Sequence, residues 1–246
     1  MSSKSLKNPH NNIFSDTENK LLLTFCRKSC ILFSTKIMSK GSVDLKHGIR
    51  KKIVERISSL DDGCVFVVGD FSDIAESKTA SKTLARLCEE KSIEKLMRGV
   101  YRKSTVEKVE PDTIAKALAR ENAWKSIPCG KTALHLSGLT KEKPSIWTYV
   151  SDGTYRTYSV MGYNISFSHT TVRGFNTMSE KTAMIVEILR AYGENAIPYA
   201  KLKSLFSYLK PSEIAEILSE TKNCPKWIYL AIKKLFMHQN TVEEQI

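Results

Sequence analysis

The segment SKTASKTLARL, residues 77–87, constrains the fold because its basic and apolar residues separate when it is drawn as a helix. Successive residues of an α-helix turn by about 100°, so Lys78, Lys82 and Arg86 form one narrow stripe. The opposite side is formed by Ala80, Leu84, Leu87 and Cys88. No acidic residue interrupts the stripe. The apolar side therefore packs inward, and the stripe faces either solvent or a negatively charged partner.

The elements around this helix follow the order helix, strand, helix, helix, hairpin. GIRKKIVERISSL (48–60) has apolar residues at helical spacing, and CVFVV (64–68) reads as a short strand. We expect Asp70 to be the N-cap of a short helix, FSDIA. The basic helix then runs to about residue 91, and two extended runs follow, with Gly99 in the turn between them. This order is typical of a winged helix-turn-helix, which we predict for residues 46–105.

The winged helix-turn-helix interpretation assigns candidate DNA-binding residues. The second helix of such a motif enters the major groove, and hairpin arginines reach the minor groove or the backbone. Ser, Thr and Arg contact base edges, and Lys suits phosphate. The candidates are Ser77, Lys78, Thr79, Ser81, Lys82, Arg86, Arg98, Tyr101 and Arg102. Residues 77–103 contain 8 basic and 3 acidic residues, a local excess that the evenly spread net charge of +12 conceals.

Two alternatives to DNA binding stay open. Basic helical faces commonly serve only to keep a protein solvated, and winged helices also act as protein-binding modules. A net charge of +12 favours anionic partners in general, which include acidic proteins as well as nucleic acid.

Residues 106–246 are predicted to form a second, α+β domain with a helical tail. Residues 111–123 and 129–139 read as helices, and strands are expected at 146–150 and on both sides of a turn at Met161 and Gly162. A largely buried helix at 179–193 precedes two helical stretches, at 198–220 with a break near Pro211 and at 225–238.

No catalytic, metal or cofactor motif is expected in this second domain. GKT (130–132) lacks the first glycine of a P-loop. Cys129 and the histidines lack the neighbours that a nucleophilic site needs. Asp152, Tyr155 and Arg156 could form a polar site of a nuclease, although a charged turn is the commoner explanation. We therefore expect no enzyme activity and no cofactor.

Residues 1–45 are expected to form a loosely ordered extension. The apolar run LLLTFCRKSCILF is too short to span a bilayer and is interrupted by charges, so it does not read as a signal peptide. Translation could begin at Met38. The six scattered cysteines indicate reduced thiols in a cytoplasmic protein without structural zinc.

Several segments in one order resemble a bacterial family. They are VFVVGDF, KTLARL and IEKLMRGVY, followed by IPCGKTALHLSGLT, WTYVSDGTYRT and GYNISFSH. Together they resemble relatives of the AbiEi antitoxins of type IV toxin-antitoxin systems over about residues 48–195. The resemblance implies a winged helix that binds double-stranded DNA at its own promoter. It also implies a non-catalytic second domain that opposes a nucleotidyltransferase-like toxin. The extension and the helical tail depart from the pattern.

The expected fold class is α+β, with a winged helix-turn-helix followed by an α+β domain and a helical tail. The expected function is that of a DNA-binding autorepressor and antitoxin. The alternative is an orphan regulator or a protein-interaction module without a toxin.

Overall fold

The computed structural model describes residues 45–104 and 108–236, with side chains from residue 48 onward. Within these ranges the chain is mixed α+β and contains two sheets. The predicted extension, apart from its last residue, lies outside the described residues, as do Met38 and the last ten residues of the chain.

The first part of the chain contains two long helices and a three-stranded sheet. Its elements are α1 (Leu45–Ser58), β1 (Val65–Val67), a 3-10 helix (Val68–Phe71), α2 (Ser77–Glu89), β2 (Ile93–Met97) and β3 (Val100–Lys103). The antiparallel sheet has the order β1-β3-β2. Gly99, in the turn between β2 and β3, has a φ of 81°, as the hairpin turn requires.

The predicted N-cap role of Asp70 is wrong. Asp70 lies inside the 3-10 helix, and its carboxylate accepts the backbone N–H of Val67 at 2.9 Å. The carboxylate therefore satisfies a donor at the end of β1, and the helix FSDIA does not form.

The second part surrounds a four-stranded sheet with helices. Its elements are α3 (Pro111–Glu121), β4 (Ser126–Pro128), α4 (Gly130–Leu136), β5 (Ile146–Ser151), β6 (Arg156–Val160), β7 (Tyr163–His169), α5 (Glu180–Tyr192), α6 (Tyr199–Leu205), α7 (Pro211–Glu220) and α8 (Lys226–Phe236). The sheet order is β4-β5-β7-β6, with β5 and β7 parallel and the other pairs antiparallel. The sequence did not predict β4.

Local sequence signals explain several helix ends. Ser179 is the N-cap of α5, and its hydroxyl accepts the backbone N–H of Thr182 at 3.2 Å. Gly193 ends the same helix with a φ of 76°. Pro111 and Pro211 each occupy the first turn of a helix, where a missing N–H costs nothing. These positions agree with the predicted starts and breaks.

Strand β1 is buried on both faces. Phe66 belongs to an N-terminal cluster formed with α1 and α2, whereas Val65 and Val67 belong to a central cluster. The pairing register carries this alternation into β3, because Phe66 lies opposite Tyr101 and Val67 lies opposite Val100. An apolar run such as CVFVV is the pattern expected of a strand covered on both sides.

Three apolar clusters follow one another along the fold. The N-terminal cluster contains Ile53, Ile57, Phe66, Val68, Phe71, Ala80, Leu84, Leu87, Ile93 and Tyr101. The central cluster contains Val65, Val67, Val100, Val109, Ile114, Ala115, Ala117, Leu118, Ala119, Trp147, Tyr149, Val160, Ile165 and Phe167. The C-terminal cluster is built mainly on α5 and α8.

The central cluster joins the two predicted domains. It combines residues of β1 and β3 with residues of α3 and of the second sheet. The predicted boundary near residue 105 therefore separates two sheets but not two cores, and we expect the two parts to unfold together.

Replacing Val67 by Thr tests this shared core. The substitution keeps the shape but places a hydroxyl where the side chain is 1% exposed, which should lower the free energy of unfolding by about 1–3 kcal/mol. All three tryptophans, Trp124, Trp147 and Trp227, lie beyond residue 105. The urea transition measured by tryptophan fluorescence should nevertheless show the whole decrease in the free energy of unfolding.

Val54→Thr, at a position 36% exposed, is the matched control and should change stability little. An unchanged tryptophan transition in Val67→Thr would contradict the shared core.

Candidate nucleic-acid interface

The basic stripe of α2 lies at the surface. Lys78, Lys82 and Arg86 are all exposed, and none forms an ion pair with any residue that the structure describes. The opposite side of the helix is fixed by Ala80, Leu84 and Leu87, which are buried in the N-terminal cluster. The predicted orientation of this helix is therefore confirmed, and three cations are left available to an external anion.

The remaining candidates on α2 differ in their access to solvent. Ser77 is exposed at the first residue of the helix, where the helix dipole is positive. Thr79 and Ser81 are partly buried. The carbonyl oxygen of Thr79 accepts the hydroxyl of Thr83 at 2.9 Å. The first turn of α2 thus adds a partial positive charge and small polar groups to the stripe.

An ion pair between α1 and the segment before α2 holds the helix in place. Two nitrogens of Arg56 each donate to an oxygen of Asp73 at 2.6 Å, and the guanidinium also donates to the carbonyl of Asp70 at 2.9 Å. The hydrogen bond with Arg56 lowers the pKa of the Asp73 carboxyl below its usual value. Sequence reasoning missed this pair, because the partners lie 17 residues apart and neither belongs to a motif.

The turn of the hairpin contributes an exposed cation to the surface. Arg98 lies exposed in the turn between β2 and β3 and has no ion-pair partner among the described residues. A register shift between Lys95 and Met97 marks a bulge just before it. Bulges bend a strand and redirect its side chains, so the tip is not a simple continuation of the strands.

The structure corrects two candidates on β3. Tyr101 is only 5% exposed, and its ring stacks on Phe66 with centroids 6.2 Å apart. It is a core residue because both faces of the sheet are covered. The side chain of Arg102 is 11% exposed and pairs with Glu94, its Nε lying 2.7 Å from the carboxylate. Neither residue is presented to a ligand as the sequence pattern suggested.

The structure does not assemble the polar residues of the alternative nuclease site. The carboxylate of Asp152 accepts the backbone N–H of Lys125 at 2.9 Å, which fixes the turn. Tyr155 is 74% exposed, and Arg156 donates to the side chain of Asn122 at 3.0 Å. Among the described residues no group of three or more His, Cys, Asp or Glu is arranged to hold a metal ion.

Cys129 has the properties of a packed thiol. It is the N-cap residue of α4 and packs against the C-terminal cluster. Burial raises its pKa to about 11, so the nucleophilic thiolate is scarce at neutral pH. His135 packs edge-on against Trp147, with ring centroids 5.7 Å apart.

Comparison with known proteins places the chain in a family. Residues 52–217 match the model of DUF6088, a family of unknown function, and this match covers more than half of the chain. The chain therefore belongs to the DUF6088 family. No curated protein matches it. Within the described residues, no helix has the length and apolar character needed to cross a membrane.

Replacing Asp73 by Asn tests the ion pair that holds α2. Both partners are partly exposed, so the loss in unfolding free energy at pH 7 should stay below about 1 kcal/mol. The pKa of Asp73 is lower in the folded chain than the value of about 3.9 in an unfolded one. The stabilisation is thus complete above that value and is lost as the pH falls through the folded pKa.

Urea titrations at pH 7 and pH 3 provide the measurement. We expect Asp73→Asn and wild type to differ at pH 7 and to converge toward pH 3. Asp61→Asn, at an exposed position without an ion pair in the described part of the chain, should match wild type at both. An equal deficit of Asp73→Asn at both pH values would show that the ionised carboxylate is not responsible.

Proposed function

We propose that residues 46–105 form a winged helix-turn-helix that binds double-stranded DNA upstream of the protein's own gene and represses it. The observation that carries this proposal is the exposed, acid-free stripe of Lys78, Lys82 and Arg86 on a helix whose opposite side is buried. Arg98 adds a further cation on the adjacent hairpin, in the place of a wing. Such a regulator acts in the cytoplasm, which is the location proposed for this protein.

The energetics of the stripe favour a polyanion as partner. A cation that already pairs with a carboxylate must break that contact before it binds phosphate. The three stripe residues form no ion pair with a described side chain. They can therefore bind phosphate without breaking such an ion pair. Contacts of this kind release condensed counterions from DNA, which supplies affinity and makes it depend on salt.

The antitoxin part of the proposal rests on the resemblance to AbiEi relatives. We assign to the second part of the chain the role of opposing a nucleotidyltransferase-like toxin without catalysis. The alternative is an orphan regulator or a protein-interaction module without a toxin. The family match assigns no activity, so these two functions must be separated by experiment.

DNA binding is tested by fluorescence anisotropy of the full chain with the duplex from upstream of its gene. The triple change of Lys78, Lys82 and Arg86 to Ala should abolish specific binding, because it removes phosphate and base contacts together. The slope of log affinity against log salt should also fall, by about 0.9 for each phosphate that the variant no longer neutralises. A scrambled duplex measures the non-specific component.

A second triple variant controls for net charge. Lys141, Lys143 and Lys222 are exposed and form no ion pair with other described residues, so their change to Ala removes the same three charges elsewhere. This control should bind the upstream duplex nearly as well as wild type. Equal weakening by both triple variants, or a binding curve indifferent to salt, would contradict an interface on α2.

The antitoxin role is tested by co-expression with a neighbouring nucleotidyltransferase-like gene. Expression of that gene alone should slow growth, and co-expression of this protein should restore it. The α2 triple variant should still restore growth, because the opposing role is assigned to the second part of the chain. If no form of the protein restores growth, the alternative remains, which is an orphan regulator or a protein-interaction module without a toxin.

A further inference from the structure

The end of α3 touches the hairpin beside its exposed arginine. A Cβ placed on Gly99 would lie 2.2 Å from Oε1 of Glu121 and 2.6 Å from its Cδ. Gly99 also has a φ of 81°, a conformation that other residues rarely adopt. Because glycine has no Cβ, it allows both the backbone conformation of the turn and the close approach of Glu121.

The preceding residue of α3 attaches to β1. One nitrogen of Arg120 donates to the carbonyl of Val65 at 3.1 Å and lies 3.3 Å from the carboxylate of Asp70. That same carboxylate accepts the N–H of Val67. Two consecutive residues of α3 thus contact β1, the 3-10 helix and the hairpin turn, all of which lie in the first part of the chain.

Apolar contacts support both strands of the hairpin from the same side. Leu96 and Met97, just before Arg98, are partly buried against the central cluster, and Val100 is fully buried within it. The cluster also contains Ile114 and Leu118 of α3. The residues on each side of Arg98 therefore pack in the same apolar cluster as α3.

We infer that the C-terminal turn of α3 positions the hairpin, and that Glu121 is a positioning residue for the DNA contact of Arg98. The DNA part of this inference rests on the proposed function. It extends the DNA-binding unit beyond the predicted boundary at residue 105, as far as the end of α3. The second part of the chain is then required for the geometry of the DNA-binding surface as well as for any separate role.

The environment of the Glu121 carboxylate supports a packing role. Burial raises its pKa above the usual value, and the nearby charge of Asp70 raises it further. A hydrogen bond with the backbone of Val68 acts in the opposite direction. Glu121 is exposed as a whole, and its carboxylate lies near the 3-10 helix as well as against the turn.

The sign of the effect on affinity separates positioning from simple repulsion. A carboxylate near DNA repels phosphate, so if repulsion were its only effect, Glu121→Ala and Glu121→Gln would both strengthen binding. A positioning residue behaves differently. Glu121→Ala removes the side chain that lies against the turn and should weaken binding, whereas Glu121→Gln keeps the side-chain length and an oxygen acceptor and should preserve it.

The affinity experiment is a double-mutant cycle on the full chain with the upstream duplex. Glu121→Ala should bind about fivefold more weakly than wild type, and Glu121→Gln should remain close to wild type. In an Arg98→Ala background, Glu121→Ala should have almost no further effect, because the residue it positions is gone. Glu110→Ala, at an exposed residue before the same helix that makes no side-chain cap, is the control for the removed charge. Equal effects of Glu121→Ala in both backgrounds would overturn the inference.

Amide hydrogen exchange without DNA separates this inference from the proposed function. Glu121→Ala should speed exchange in residues 97–101 relative to Glu110→Ala and leave α1 unchanged. If Glu121→Ala speeds this exchange but wild type does not bind the upstream DNA, the positioning of the hairpin by Glu121 is supported and the proposed function is contradicted. If wild type binds DNA and hairpin exchange is the same in Glu121→Ala and wild type, the inference is overturned.

Discussion

Strand β1 depends on being covered from both sides. Its three residues are all buried, and they divide their side chains between two clusters. Removal of the α1–α2 layer would expose Phe66, and removal of α3 would expose Val65 and Val67. Each buried side chain of this size contributes about 1.5–3 kcal/mol, which is a large share of the net stability of a typical domain. The first sheet is therefore stable only as the middle layer of a larger structure.

The packing of one side of α2 fixes the direction in which its basic side faces. With Ala80, Leu84 and Leu87 fixed in the N-terminal cluster, the stripe of Lys78, Lys82 and Arg86 must face outward. Like charges four residues apart destabilise a helix by some tenths of a kcal/mol. The three stripe residues are exposed and form no ion pair with other described residues. Arg86 lies in the last turn of the helix, where the dipole favours a cation, and all three charges remain accessible to solvent or to an external anion.

Helical periodicity and turn residues were sufficient to predict α2, the hairpin around Gly99 and the buried helix at 179–193. The same reasoning misjudged Tyr101, because strand alternation tells which residues share a face but not how many faces are covered. It missed β4, which is defined by pairing with β5 rather than by any pattern in its own three residues. Contacts such as Arg56 with Asp73 join distant positions through geometry alone, and a single sequence carries no signal for them.

The shared central cluster makes the two parts of the chain energetically dependent on each other. The end of α3 reaches the hairpin through Glu121 and reaches the edge strand β6 through Asn122, whose side chain donates to the hydroxyl of Tyr158 at 3.2 Å and accepts from Arg156. Under the proposed function, a partner that bound the second sheet and favoured one position of α3 would therefore change the affinity for DNA. Linkage requires DNA to change the affinity for that partner by the same factor. In an autorepressor that also opposes a toxin, such a contact would couple repression to the occupancy of the second part of the chain.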